Sequence, residues 1–147
     1  MARHLHLLIA MVAMRSKLDE VNILASNAGW AWPVALRGIF EPRGVNLLIA
    51  SRPAEFVNII EHKRIHTIII DMNSERASGL STIKIIRMEY PLLPCILLSS
   101  QASGDLLGKA LKLDVFGVID KPVDMDVLLE LLNRLFMKKY NCDVFAA

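Results

Sequence analysis

Several polar residues of this 147-residue chain close short apolar runs, and their types are those of a reacting or binding site. Ser26 and Asn27 follow VNILA, Asp71 follows TIII, Ser99 and Ser100 follow CILL, and Lys121 follows GVID. Together they offer a carboxylate, hydroxyls, an amide and an ammonium, groups able to pair with one another or to meet a ligand. Each also has a plainer role. Asp71 suits a loop carboxylate capping backbone amides, Lys121 a surface lysine with a buried stem, Ser99 a strand-end hydroxyl, and Asn27 a turn residue. Asp71 and Lys121 sum to zero charge, so a simple salt bridge between them is a further reading. Elsewhere the chemistry is thin. His4 and His6 lack further metal ligands nearby, and Cys95 suits a small buried hydrophobe. The chain has no GxGxxG, Walker-type loop, CxxC, HExxH or GxSxG, so nucleotide-binding, zinc and serine-hydrolase readings lose their usual anchors.

The elements that must position these residues are legible in the hydrophobic rhythm. Runs rich in β-branched residues or leucine at Val21–Ala25, Val45–Ala50, Thr67–Ile70, Cys95–Leu98 and Val115–Ile119 predict five strands. Amphipathic stretches separate them, which predicts a parallel sheet covered by helices on both faces. Pro33 and Pro53 suit first-turn positions of the first two helices, ending near Phe40 and Glu61. The third is expected over Leu80–Glu89. The fourth is expected over Asp105–Leu113, with Leu106, Leu107, Ala110 and Leu111 on one side. The last follows a cap at Asp124, with a core stripe of Leu128, Leu131, Leu132 and Leu135, and with Met125, Leu129 and Phe136 as surplus apolar area to one side. The polar residues named above then fall at the carboxyl ends of the strands, where ligand sites of open α/β sheets gather.

Composition narrows the class. With 54% hydrophobic residues the chain can offset the entropy of ordering, so disorder is excluded. Seventeen Lys+Arg against 15 Asp+Glu give a net charge of +2, with no run of five like charges, which argues against a nucleic-acid binder. Two cysteines are too few for a multi-bridge secreted scaffold, so a cytoplasmic setting is expected. Leu7–Met14 is an apolar run far short of the roughly 18 residues of a membrane span, and Arg15 and Lys17 follow it without a small-residue cleavage site. Residues 1–19 are expected to form an N-terminal extension, helical and apolar on two faces, docking on its own domain or on a second copy. One domain over residues 20–138 and a C-terminal tail over 139–147 complete the expected organisation.

The motifs TIIIDMNSERASGL (67–80), PCILLSS (94–100) and FGVIDKP (116–122) resemble the response-regulator receiver domain of two-component signalling, over about Val21 to Met137. The resemblance implies a flavodoxin-like (βα)5 doubly wound sheet of strand order 2-1-3-4-5. It implies Asp71 as phosphoacceptor, Lys121 and Ser99 as groups contacting the phosphoryl oxygens, and a cis peptide before Pro122. It also implies Mg²⁺ held by Asp71, by the backbone carbonyl of Asn73 and by an acidic pair after the first strand. That pair is Ser26-Asn27 here, so Asn27 marks a weak or absent metal site. Two further departures are Ser74-Glu75, where Met-Pro often follows the phosphoacceptor, and Val118 at the usual aromatic switch position.

The partners implied are a histidine kinase or phosphotransfer protein and a downstream protein, with a homodimer through the last two helices or the N-terminal extension as a further option. No effector domain, nucleic-acid contact or enzyme activity is expected, because about nine residues follow the last helix. Two functions compete: a single-domain phosphoacceptor in a phosphorelay, and a pseudo-receiver that keeps the fold as an interaction module.

Overall fold

The computed structural model describes residues 18–27, 32–72, 79–100 and 104–146. The chain divides into two compact units, one of them Glu20–Asp124 and the other containing the last helix. In the first unit, β1 (Val21–Ser26), β2 (Val45–Ala50), β3 (Thr67–Asp71), β4 (Cys95–Ser99) and β5 (Gly117–Asp120) form one parallel sheet of order β2-β1-β3-β4-β5. The helices between them are α1 (Trp32–Phe40), α2 (Pro53–His62), α3 (Gly79–Glu89) and α4 (Gly104–Lys112). This is the expected flavodoxin-like arrangement.

Every residue of β1, β3 and β4 is buried, as unbroken apolar runs require when both faces of a sheet are covered. Alternation along the strands sends Leu24, Ile68, Ile70, Cys95 and Leu97 into one cluster with Phe56 of α2, Ile83 and Ile86 of α3 and Ala110 of α4. The intervening Ile23, Ala25, Ile69, Ile96 and Leu98 are buried as well, and so are Trp32, Leu36 and Phe40 of α1. Trp32 thus anchors the first helix, while Trp30 and the residues preceding 18 lie outside the described residues.

The half-buried Arg87 ties the far ends of α3 and α4 together. Its guanidinium donates to the carbonyls of Leu113 at 3.0 Å, Asp114 at 3.0 Å and Pro91 at 2.8 Å. A planar fork with fixed donors suits three divergent carbonyls, as a lysine would not.

The second unit contains α5 (Met125–Tyr140) and the residues after it. Leu128, Leu132 and Leu135 are buried as the periodicity predicts. Phe136 corrects an expectation: it is not surplus surface but fully buried, its ring centroid 5.0 Å from Phe145 and 5.3 Å from Tyr140. The chain turns back at Asn141, which takes a left-handed φ of 49°, and Cys142 donates its N–H to the Phe136 carbonyl at 3.1 Å. Three smaller differences concern boundaries and faces. β5 begins at Gly117 rather than Val115, because a turn with Asp114 at φ 54° leads into it. α5 runs to Tyr140. Leu111, expected on the apolar side of α4, is 73% exposed while Ala110 is buried, and the side chains of Leu106 and Leu107 lie outside what the structure describes. No helix among the described residues is long and apolar enough to cross a membrane.

Candidate functional site

Ser26, Asp71 and Ser99 are each the last residue of their strand, so the parallel ladder fixes them at one end of the sheet. Register does the rest. Asp71 pairs with Leu98, Ser99 pairs with Asp120, and the Lys121 N–H donates to the Ser99 carbonyl at 2.9 Å, continuing the β4–β5 ladder by one bond. Lys121 is therefore delivered to the same end of the sheet as Asp71, and the peptide between Lys121 and Pro122 is cis.

Asp71 and Lys121 meet. Lys121 Nζ donates to Asp71 Oδ2 at 2.7 Å, with the Asp71 side chain only 5% exposed and that of Lys121 20%. A carboxylate so far from water needs a partner, and this ammonium is a strong one. Ser99, also expected in the site, is fully buried at the adjacent strand end. Asn27 is exposed, and its N–H donates to the Ala50 carbonyl at 3.0 Å, holding the β1 loop against β2. Asn73 lies outside the described residues.

Ser26 has a role that its sequence position alone did not reveal. Its Oγ accepts the backbone N–H of Asp71 at 3.0 Å, and the residue is buried. The hydroxyl thus joins β1 to the end of β3 at the acid itself. Gly79 is a second such residue. A Cβ placed there would lie 2.8 Å from Met72 Cα and 3.0 Å from the Asp71 carbonyl oxygen, so only glycine lets the start of α3 sit on this backbone. The Gly79-Leu80 spacing after Asp71 was the available signal; the contact it serves was not readable. Val118 packs against the hydrophobic cluster, so a β-branched core side chain stands at the switch position.

At the opposite ends of the strands lies a polar cluster that the sequence did not announce. His66 is buried, and its Nδ1 accepts the Asn22 N–H at 3.1 Å, which makes the ring neutral with its proton on Nε2. Asn22 Nδ2 donates to the Arg64 carbonyl at 2.9 Å, and Asn46 donates to Asn22 Oδ1 at 3.0 Å. Burial first, and the Arg64 charge second, hold the His66 pKa below its ordinary 6.5. Burial likewise pushes the Cys95 thiol up to about 12, which makes it an inert core group.

The response regulator receiver domain family matches residues 34–133, well over half of the chain. The chain belongs to this family. Among curated relatives, a putative NtrX-like response regulator of Rickettsia typhi is 29% identical over 107 residues, which are 69% of this chain and 22% of that protein. This receiver therefore spans less than a quarter of that relative. A response regulator receiver protein from Pseudomonas putida superposes with a TM-score of 0.71 at 28% identity, covering 78% of this chain and 97% of that one. The signal receiver domain of an HD domain-containing protein from Pseudomonas fluorescens has the same fold, with a TM-score of 0.74 at 19% identity, covering 82% and 97%.

Receiver domains typically bind Mg²⁺, a small hard cation that asks for near-octahedral oxygen ligands and usually takes one or two carboxylates. The donors of this receiver do not fit it. β1 ends in a neutral hydroxyl already engaged by the Asp71 N–H, and then in an exposed amide. An ammonium sits on the Asp71 carboxylate. Among the described residues no group of three or more His, Cys, Asp or Glu is placed to hold a metal ion.

Proposed function

We propose that this receiver accepts a phosphoryl group on Asp71 and passes its signal on by protein contact. The 2.7 Å pairing of Lys121 with a buried Asp71 carries the reading, because it places a cation where an anionic group would arrive. A carboxylate oxygen of Asp71 attacks phosphorus as the P–N bond of a partner's phosphohistidine breaks. The freed imidazole nitrogen takes up a proton, and an acyl phosphate remains on Asp71. Repulsion between the carboxylate and the incoming phosphoryl group is the main obstacle, so positioning and charge neutralisation are what the protein supplies. Lys121 leaves Asp71 Oδ2 for the phosphoryl oxygens, and the Ser99 hydroxyl donates to them from the next strand. Ser26 and Asn27, in place of two carboxylates, weaken any Mg²⁺ site. The phosphodonor is a histidine kinase or phosphotransfer protein. The setting is cytoplasmic, in keeping with Cys95 and Cys142 as free thiols.

The competing reading is an interaction module whose output does not depend on phosphorylation. Val118 is the observation on its side, since no aromatic ring stands there to follow a movement of Ser99. Mass spectrometry separates the two. Incubation with a small phosphodonor is expected to add one phosphoryl group to the intact chain, mapped to Asp71 and lost in Asp71→Asn. No adduct from any donor, kinase included, would sink the phosphoacceptor.

A further inference from the structure

The pocket's charges balance in an unusual way for a receiver. Two positions that would carry carboxylates are Ser26 and Asn27, so two negative charges are gone. Among the described residues, a carboxylate and an ammonium are in contact there, 2.7 Å apart. A divalent cation at Asp71 would add two positive charges beside Lys121 with no further anion from β1. It would also have to take its oxygen from a buried serine whose Oγ already binds the Asp71 N–H at 3.0 Å. That bond orients the acid: it fixes the backbone at the point from which the Asp71 side chain leaves the strand.

We infer that this receiver works without a divalent cation: Lys121 is the pocket's standing counter-ion, and Ser26 has become a backbone brace that holds Asp71 in place. The inference deepens the phosphoacceptor reading by naming how the pocket is neutralised, and its cation half stands independently of that reading. Among the described residues, an arriving phosphoryl group meets the Lys121 point charge and a hydroxyl rather than a metal-centred cage. Transfer is then indifferent to chelators.

Two measurements on the full chain decide it. In the first, Mg²⁺ is titrated calorimetrically into the wild type, Asp71→Asn and the double variant Ser26→Asp/Asn27→Asp. The wild type is expected to show no saturable binding. The double variant supplies two added carboxylates, and saturable binding is expected to appear in it, because affinity follows the number of charged ligands. An Asp carboxylate can still accept the Asp71 N–H, so the brace survives, and a cooperative melt checks that the variant folds. Saturable Mg²⁺ binding by the wild type that vanishes in Asp71→Asn would overturn the inference. In the second, adduct formation from a small phosphodonor is timed in EDTA and in Mg²⁺. Equal rates are expected, and loss of the adduct in EDTA alone would overturn the inference. No adduct under either condition counts against Asp71 as phosphoacceptor, while the titration still decides the cation.

Discussion

Lys121 Nζ lies 2.7 Å from Asp71 Oδ2 although β5 and β3 are not neighbours, for β4 runs between them. The contact reaches over the end of the middle strand, from the last residue of β3 to the residue that follows β5. Because Asp71 is nearly enclosed, removing Lys121 takes away the cation paired with a buried charge. Lys121→Met is expected to lower unfolding stability by about 3 kcal/mol. Adding Asp71→Asn to it should recover part of that loss, since the buried negative charge disappears with its cation. Urea denaturation of the four forms of this double-mutant cycle measures it, and equal stability of the two Lys121→Met forms would contradict the assignment.

Gly79 faces the backbone of Met72 and Asp71 as well as the Met72 thioether, so a movement of that side chain alone would not make room. Gly79→Ala must push Met72 or the first turn of α3 aside, at a cost of about 1–3 kcal/mol. Since the displaced atoms adjoin Asp71, adduct formation should slow in the same variant. Ala at Gly108, where a Cβ would meet nothing within 4 Å, is the matched control and should leave stability unchanged or raised.

His66 predicts how stability responds to acid. Its folded pKa is depressed, so the unfolded chain binds the extra proton first, and stability falls as pH drops through 6.5 towards the folded value. Protonation of Nδ1 would also break its bond to the Asn22 N–H. His66→Asn keeps an acceptor for that N–H and removes the titration. Its stability curve is expected to be flatter than that of the wild type between pH 6.5 and the acid limb, and parallel curves would exclude His66 as the cause.

Cys95 is fully buried, with its pKa pushed up to about 12. In a Cys142→Ser background, a thiol reagent at neutral pH should modify it only at the rate at which the molecule opens. Labelling rates rising with denaturant in step with global unfolding would show this, and rapid labelling of the native protein would refute it.

The fold was largely legible because each central strand is an unbroken apolar run. Predicted strand ends fell short where the last residue was polar. Ser26, Asp71 and Ser99 continue the ladder all the same, since backbone pairing does not depend on side-chain polarity. The site was legible as a set of residue types at strand ends, and the Asp71–Lys121 pair was within reach of charge counting. The Ser26 brace was not, because a hydroxyl's choice of partner 45 positions away is set by sheet register. Phe136 was misread for a related reason. Periodicity describes a helix alone, while the aromatic cover over this ring comes from Tyr140 on its own last turn and Phe145 beyond it.

The brace between Ser26 and Asp71 also bears on how such a pocket can change over generations. Starting from this chain, Asn27→Asp or Ser26→Asp would set a second carboxylate near Asp71, whose own charge Lys121 already balances. Without a bound cation the two carboxylates repel, so such a change is costly until metal arrives. Serine asks for no such cation: a neutral hydroxyl holds the Asp71 backbone, so the brace is indifferent to the metal content of its surroundings.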